Sequence, residues 1–243
     1  MSGGSTEFDA RRLRRQALAM EMLQRLRPAL LHELKGPMQA ILSAAHMLRK
    51  TQETTATAQT AGRDHYADMI RGSVQQLIAI GETLLPRDST AGGEPEICTL
   101  SSLTERLIRL LRDLAALEGV AFTLEVDRAR GTELRAVTDD LQLALTTILV
   151  AALDRAPENA ALSVAIEVAP AALLWRLQVP LHPSRANPEA TLFDWRPEIP
   201  ESLGWSVAHD IVAAHDGTMR MADRGDRGWT LTLEFPVDGG DTR

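Results

Sequence analysis

Residues 31–37 read Leu31-His32-Glu33-Leu34-Lys35-Gly36-Pro37, and they sit inside a segment, residues 8 to about 50, whose apolar spacing decides the fold of the first part of the chain. Leu23, Leu26, Leu30, Leu34, Ile41, Ala45 and Leu48 recur at three- and four-residue steps. That spacing aligns side chains along one face of an α-helix. The opposite face carries Arg25, Ala29, His32, Lys35, Gly36, Gln39 and Ser43, all polar or small. One long helix is therefore expected. Pro37 lies within it, where it removes a backbone hydrogen bond and should bend the helix.

Residues 51 to 62, rich in Thr, Ala and Gln, show no apolar period and read as a loop. A second helix is expected from about Arg63 to Leu85, with Tyr66, Met69, Ile70, Val74, Leu77, Ile78 and Leu84 as its buried stripe, ended by Pro86. Two amphipathic helices joined by a loop cannot bury both stripes alone. Pairing two such hairpins into a four-helix bundle solves this, so a homodimer is expected.

A histidine on the exposed face of a bundle helix can accept a phosphoryl group through a neutral ring nitrogen. An adjacent carboxylate, Glu33, can orient the ring and hold the proton on its other nitrogen. Lys35 can offset charge on phosphoryl oxygens. Gly36 removes side-chain bulk where a partner protein must approach. A zinc-protease reading fails, because that motif needs a second histidine where Gly36 stands. His46, His65, His182, His209 and His215 show no metal-ligand spacing and are expected to be structural. No metal site is expected.

Beyond the hairpin, Pro86 to Pro95 (PRDSTAGGEP) is a linker by composition. It separates a helical domain, residues 1–88, from a second domain, residues 96–238. There the period changes. Ser102 and Glu105 form a capping box opening a helix to about Leu117. Strands are expected at Val120 to Val126 and Glu133 to Val137, then a helix from Asp139 to Asp154. Two more strands follow, Leu162 to Val168 and Leu173 to Val179, and then a Pro-rich loop from Pro180 to Pro200. A helix from Ser202 to His215 precedes closing strands at Thr218 to Ala222 and Trp229 to Phe235. The fold class is α+β: a helical hairpin followed by an α/β sandwich of one mixed sheet and one helical layer.

The composition sets outer bounds. The chain has 243 residues, 44% hydrophobic and 24% charged, enough for two small packed domains. A net charge of −7 argues against nucleic acid as the main partner. The basic run Arg11, Arg12, Arg14 and Arg15, followed by Arg25 and Arg27, reads as a solvated helix face. A single cysteine, Cys98, allows no internal disulfide, fits a reducing compartment and reads as an inert thiol. The N-terminus is polar, and the longest apolar stretch, Leu145 to Leu153, is too short to span a bilayer. A cytoplasmic protein with no membrane partner is expected. With so few residues ahead of the first helix, input is expected from another protein.

The segment around His32 resembles the phosphoacceptor box of two-component sensor histidine kinases, and it lies in the first of two hairpin helices as that family requires. The second half resembles the ATP-binding domain of the same kinases, in element order and in His215-Asp216-Gly217 and Gly228-Trp229-Thr230. Its nucleotide motifs depart from the family pattern. In the helix LQLALTTILVAALD (141–154), Thr147 and Ala151 stand where the resemblance expects two asparagines, the second a magnesium ligand. After Val179, Pro180-Leu181-His182-Pro183 replaces an adenine-reading aspartate and its glycines. Ser202-Leu203-Gly204-Trp205 keeps one glycine of the next box and places a tryptophan where a smaller residue is usual.

What the resemblance implies, given these losses, is a phosphorelay protein of a two-component system. A dimeric histidine phosphotransferase is expected, taking a phosphoryl group at His32 from a receiver or a hybrid kinase and passing it to a response-regulator receiver domain. No cofactor is expected. Trp175, Trp195, Trp205 and Trp229 are candidate receiver contacts, with core packing for at least two of them. Two alternatives stand beside this: an ATP- and magnesium-dependent autokinase with a divergent site, and a non-catalytic pseudokinase that binds a receiver or a true kinase. Phosphatase activity is not expected, because Gly36 occupies the place four residues after the histidine where that activity uses Thr or Asn.

Overall fold

The computed structural model describes residues 3–52, 59–84, 94–126, 129, 131–180, 200–224 and 228–237. Its elements are α1 (Gly3–Gln52), α2 (Gln59–Leu84), β1 (Glu96–Thr99), α3 (Leu100–Leu117), β2 (Ala121–Val126), β3 (Glu133–Ala136) and α4 (Thr138–Leu153). Then follow β4 (Ala161–Ala169), β5 (Ala172–Val179), α5 (Pro200–Ala214), β6 (Thr218–Asp223) and β7 (Trp229–Pro236). The chain divides into two compact units. One comprises Leu26–Arg87; the other joins Met1–Arg25 to Asp88–Arg243. Helix α1 is therefore shared, its first half belonging to the sandwich unit.

In the hairpin unit the expected single helix is present, with Pro28 and Pro37 inside it. The buried line differs from the expected stripe. Leu26, Ala29, Pro37 and Ala44 are buried, Leu30, Leu34, Ile41 and Leu48 only half-buried, and Ala45 exposed. Ala29, assigned to the polar face by its chemistry, lies in the seam. On α2 the seam runs through Tyr66, Ile70, Ser73 and Leu77, whereas Met69, Val74 and Ile78 are exposed. The buried line is narrow and includes small residues, Ala29, Ala44 and Ser73, while Leu31, Met38, Leu42, Met69, Val74 and Ile78 are exposed.

In the sandwich unit a five-stranded sheet has the order β2-β4-β5-β7-β6, and β1 and β3 form a separate two-stranded ribbon. The β2–β4 pair is parallel and the other neighbours are antiparallel. Alternation sorts the faces. Leu162, Val164 and Ile166 on β4, Leu173, Trp175 and Leu177 on β5, and Leu231, Leu233 and Phe235 on β7 are fully buried. Their neighbours Arg176, Gln178, Thr232 and Glu234 line the more open face, where Arg176 binds Glu167 through both carboxylate oxygens at 2.9 and 2.8 Å.

Helix α4 packs against both α3 and α5. It is apolar nearly all round, with Leu141, Ala144, Leu145, Ile148, Leu149, Val150, Ala152 and Leu153 buried, as befits a helix covered on several sides. Helix α3 is tied to the sheet by Trp175, whose indole N–H donates to Thr104 Oγ1 at 3.0 Å; that hydroxyl donates to the Leu100 carbonyl at 2.7 Å. The expected capping box at Ser102 is corrected. The helix begins at Leu100, and Thr99 is the N-cap, its hydroxyl oxygen accepting the Ser102 N–H at 3.4 Å.

Candidate functional site

The hairpin places His32 and Lys35 on exposed turns of α1, with Glu33 half-buried between them. A Cβ added at Gly36 would meet nothing within 4 Å, so the surface one turn beyond the histidine is open. Pro37 is buried and holds the other side of that turn in the seam. The arrangement presents one imidazole, one carboxylate and one ammonium on adjacent turns, with room beside them for an approaching surface. His46 and His65 are exposed elsewhere on the hairpin, and among the described residues no group of three or more His, Cys, Asp or Glu could hold a metal ion.

In the sandwich unit the positions marked by the resemblance converge where α4 meets α5. Thr147 is buried, and its hydroxyl donates to the Leu143 carbonyl in the preceding turn at 2.8 Å. Ala151, one turn further on, is half-buried and offers only a methyl group. Gly204 faces Thr147 so closely that a Cβ there would stand 2.7 Å from Thr147 Cγ2 and 3.7 Å from Leu18 Cδ1. The two helices touch at this point. Beside it Trp205 is buried edge-on to Trp229, with ring centroids 6.1 Å apart. Leu181 and His182 lie outside the described residues.

These residues do not fit a magnesium nucleotide. Thr147 spends its hydroxyl on the Leu143 carbonyl and Ala151 ends in a methyl group, so neither of these two described residues offers a free oxygen to a metal. No step is derived through such a group.

The other end of α5 explains why part of the kinase-like pattern persists. His215 Nδ1 faces the Ile211 carbonyl at 2.7 Å, and its Nε2 accepts the Val137 N–H at 2.9 Å. Val137 is the N-cap of α4 and makes no side-chain cap bond, and the imidazole gives the Val137 backbone N–H an acceptor at the start of the helix. Asp216 follows with φ of 55°, and a Cβ on Gly217 would lie 2.9 Å from both Phe235 Cδ1 and Val212 Cγ1. The His-Asp-Gly run is packing and capping, as expected for His215.

Two expectations are corrected. Trp175, Trp205 and Trp229 are all buried and cannot serve as surface contacts; Trp195 lies outside the described residues. The basic run is not wholly a solvated face: Arg15 binds Asp140 at 2.8 Å and Arg25 binds Asp154. Leu18, between them, is 1% exposed. Nothing local in the sequence signals these pairs, whose partners lie more than a hundred residues away. For Cys98, burial pushes the thiol above its ordinary value, which suits an inert side chain.

No family model and no curated protein matches the chain. Solved structures do. It is similar to the catalytic domain of histidine kinase ThkA, with a TM-score of 0.53 and 18% identity over 60% of this chain and 97% of that one. It is similar to Acinetobacter baumannii histidine kinase AdeS, with a TM-score of 0.51 and 15% identity over 85% of this chain and 98% of that one. A third likeness is to histidine kinase ThkA in a complex with the response regulator protein TrrA, with a TM-score of 0.50 and 16% identity over 97% of this chain and 67% of that one. The sandwich thus has the fold of histidine kinase catalytic domains. Among the described residues no helix is long and apolar enough to cross a membrane.

Proposed function

We propose that the chain is a histidine phosphotransferase of a two-component phosphorelay, working through His32 without ATP. The observation that carries this reading is the contrast between the two candidate sites. His32 is exposed on a hairpin helix beside Glu33, Lys35 and the open surface at Gly36, while the kinase-like seam at Thr147 and Gly204 is closed. The shared fold with histidine kinase catalytic domains, one solved with a response regulator, supports the choice of partner class.

In the proposed reaction the lone pair of one His32 ring nitrogen attacks the phosphorus of an aspartyl phosphate on a receiver domain. The acyl phosphate P–O bond breaks, the aspartate leaves as a carboxylate, and a P–N bond forms. Glu33 steadies the proton on the other ring nitrogen, and Lys35 balances charge on the phosphoryl oxygens. The reverse step delivers the group to a second receiver. The upstream donor is a phosphorylated receiver or a hybrid kinase. A second copy of the hairpin covers the apolar residues left exposed, Leu31, Met38 and Leu42 on α1 and Met69, Val74 and Ile78 on α2, giving a dimeric four-helix bundle. No metal or nucleic acid takes part, and the protein works in the cytoplasm.

The test charges a panel of response-regulator receivers with acetyl phosphate and mixes each with the protein in the absence of nucleotide. The expected result is acid-labile, alkali-stable phosphate on the wild type and none on His32→Gln. Receiver binding without transfer, equal in the wild type and His32→Gln, would replace this reading with a sequestering one.

A further inference from the structure

We propose that the Ala10–Arg25 arm of α1 is a releasable strap, a helix docked in cis on the α4–α5 seam that keeps the seam shut. The arm belongs to the compact sandwich unit although the rest of α1 does not. Its attachment has a clear layout. Arg15 pairs with Asp140 in the first turn of α4, and Arg25 pairs with Asp154, the residue that caps its end. The two pairs occur in the same order along both segments, so the arm runs in the same direction as α4. They are spaced about 15 Å apart on the arm and about 21 Å on α4 at ordinary helical rise.

Between the pairs, Leu18 is buried with its Cδ1 3.7 Å from where a Gly204 Cβ would stand, at the point where α5 touches Thr147. A leucine thus plugs the contact between the two helices. Met22, one turn on, is also buried, while Leu13 and Met20 on the arm's other side are exposed.

The fastening is thin. Both ion pairs are open to solvent, with side-chain exposures of 28% and 19% for Arg15 and Asp140 and 41% each for Arg25 and Asp154. Exposed pairs of this kind each shift an equilibrium by no more than about five-fold. The sheet and α3, α4 and α5 supply most of the buried residues of the sandwich unit. A buried leucine and a buried methionine, with wet ion pairs at Arg15 and Arg25, make a contact that a competing helix or a small change in load can undo. Nothing in this strap depends on phosphotransfer through His32.

The test is hydrogen exchange followed by mass spectrometry on the full chain. Leu18→Ser should speed exchange over residues 10–25 by about ten-fold or more, while β4, β5 and β7 keep wild-type protection. Arg15→Asp should speed it by a smaller factor, about two- to five-fold, and the swap Arg15→Asp with Asp140→Arg should restore it. Two results would overturn the proposal. One is arm exchange in Leu18→Ser equal to that of the wild type, which means that the leucine holds nothing. The other is loss of protection across the whole sandwich, which makes Leu18 part of its core. Failure of the charge swap to restore protection would remove the ion pairs from the fastening.

Discussion

The hairpin and the sandwich carry their polar groups in opposite ways. On the hairpin His32 and Lys35 face solvent beside the half-buried Glu33, and the helix gives up side-chain volume at Gly36 to leave that surface open. In the sandwich the comparable positions have turned inward: the Thr147 hydroxyl bonds its own helix, Ala151 has no polar atom, and Gly204 brings α5 against α4. A phosphoryl acceptor needs an accessible ring with charge beside it. A nucleotide site needs a cleft and oxygen or nitrogen ligands for a metal. The second requirement can be lost through a few side chains while the packing that defines the fold stays whole, because the core residues of a sheet and its site residues occupy different positions.

The comparison can be broken first at its strongest point. His32→Gln should abolish phosphoryl transfer from receivers altogether and, because the side chain is exposed, leave unfolding free energy within about 0.5 kcal/mol of the wild type by urea titration. A stable variant with undiminished labelling would move the chemistry elsewhere. In the sandwich the opposite pattern is expected. Trp175→Ala should cost about 3–5 kcal/mol of stability through its cavity, and Thr104→Val about 1–3 kcal/mol by leaving the indole N–H unpartnered. Neither bears on the exposed ring of His32, so phosphotransfer by the fraction that remains folded should persist.

The close contact at the seam gives a sharper, smaller effect. Gly204→Ala forces a methyl group to within 2.7 Å of Thr147 Cγ2, and the overpacking should cost about 1–3 kcal/mol by thermal or urea unfolding. Thr147→Ser removes that methyl and should recover most of the loss in the double variant. Additive losses would show that the two residues do not meet. The smallest effect concerns Cys98. Because burial raises its thiol, thiolate is scarce at neutral pH, and alkylation by iodoacetamide should lag behind a free thiol and rise only as pH passes above the ordinary cysteine range.

Much of the architecture was legible because β4 and β7 alternate along most of their length and α4 is largely apolar between polar turns. The four-residue strand Glu96–Thr99 was missed: it is too short to show a period, and only its pairing with β3 reveals it. The cap of α3 was misplaced by three residues because Thr99 and Ser102 both suit the position and only backbone geometry separates them. At the site, the type and spacing of residues 32–37 marked the histidine as a candidate, and the structure adds that its side chain is exposed. The strap was invisible, because Arg15 and Arg25 look like any solvated arginines until the chain brings Asp140 and Asp154 to them. Burial of three tryptophans was also undecided by sequence, since an indole suits a core and an interface equally well.

The most direct test of the central contrast is calorimetry with ATP and magnesium on the purified, folded protein. No heat of binding is predicted, because among the described residues Thr147 spends its hydroxyl on its own helix and Ala151 has no polar side-chain atom to offer a metal. A dissociation constant in the micromolar range would contradict the account and make the sandwich a working kinase domain.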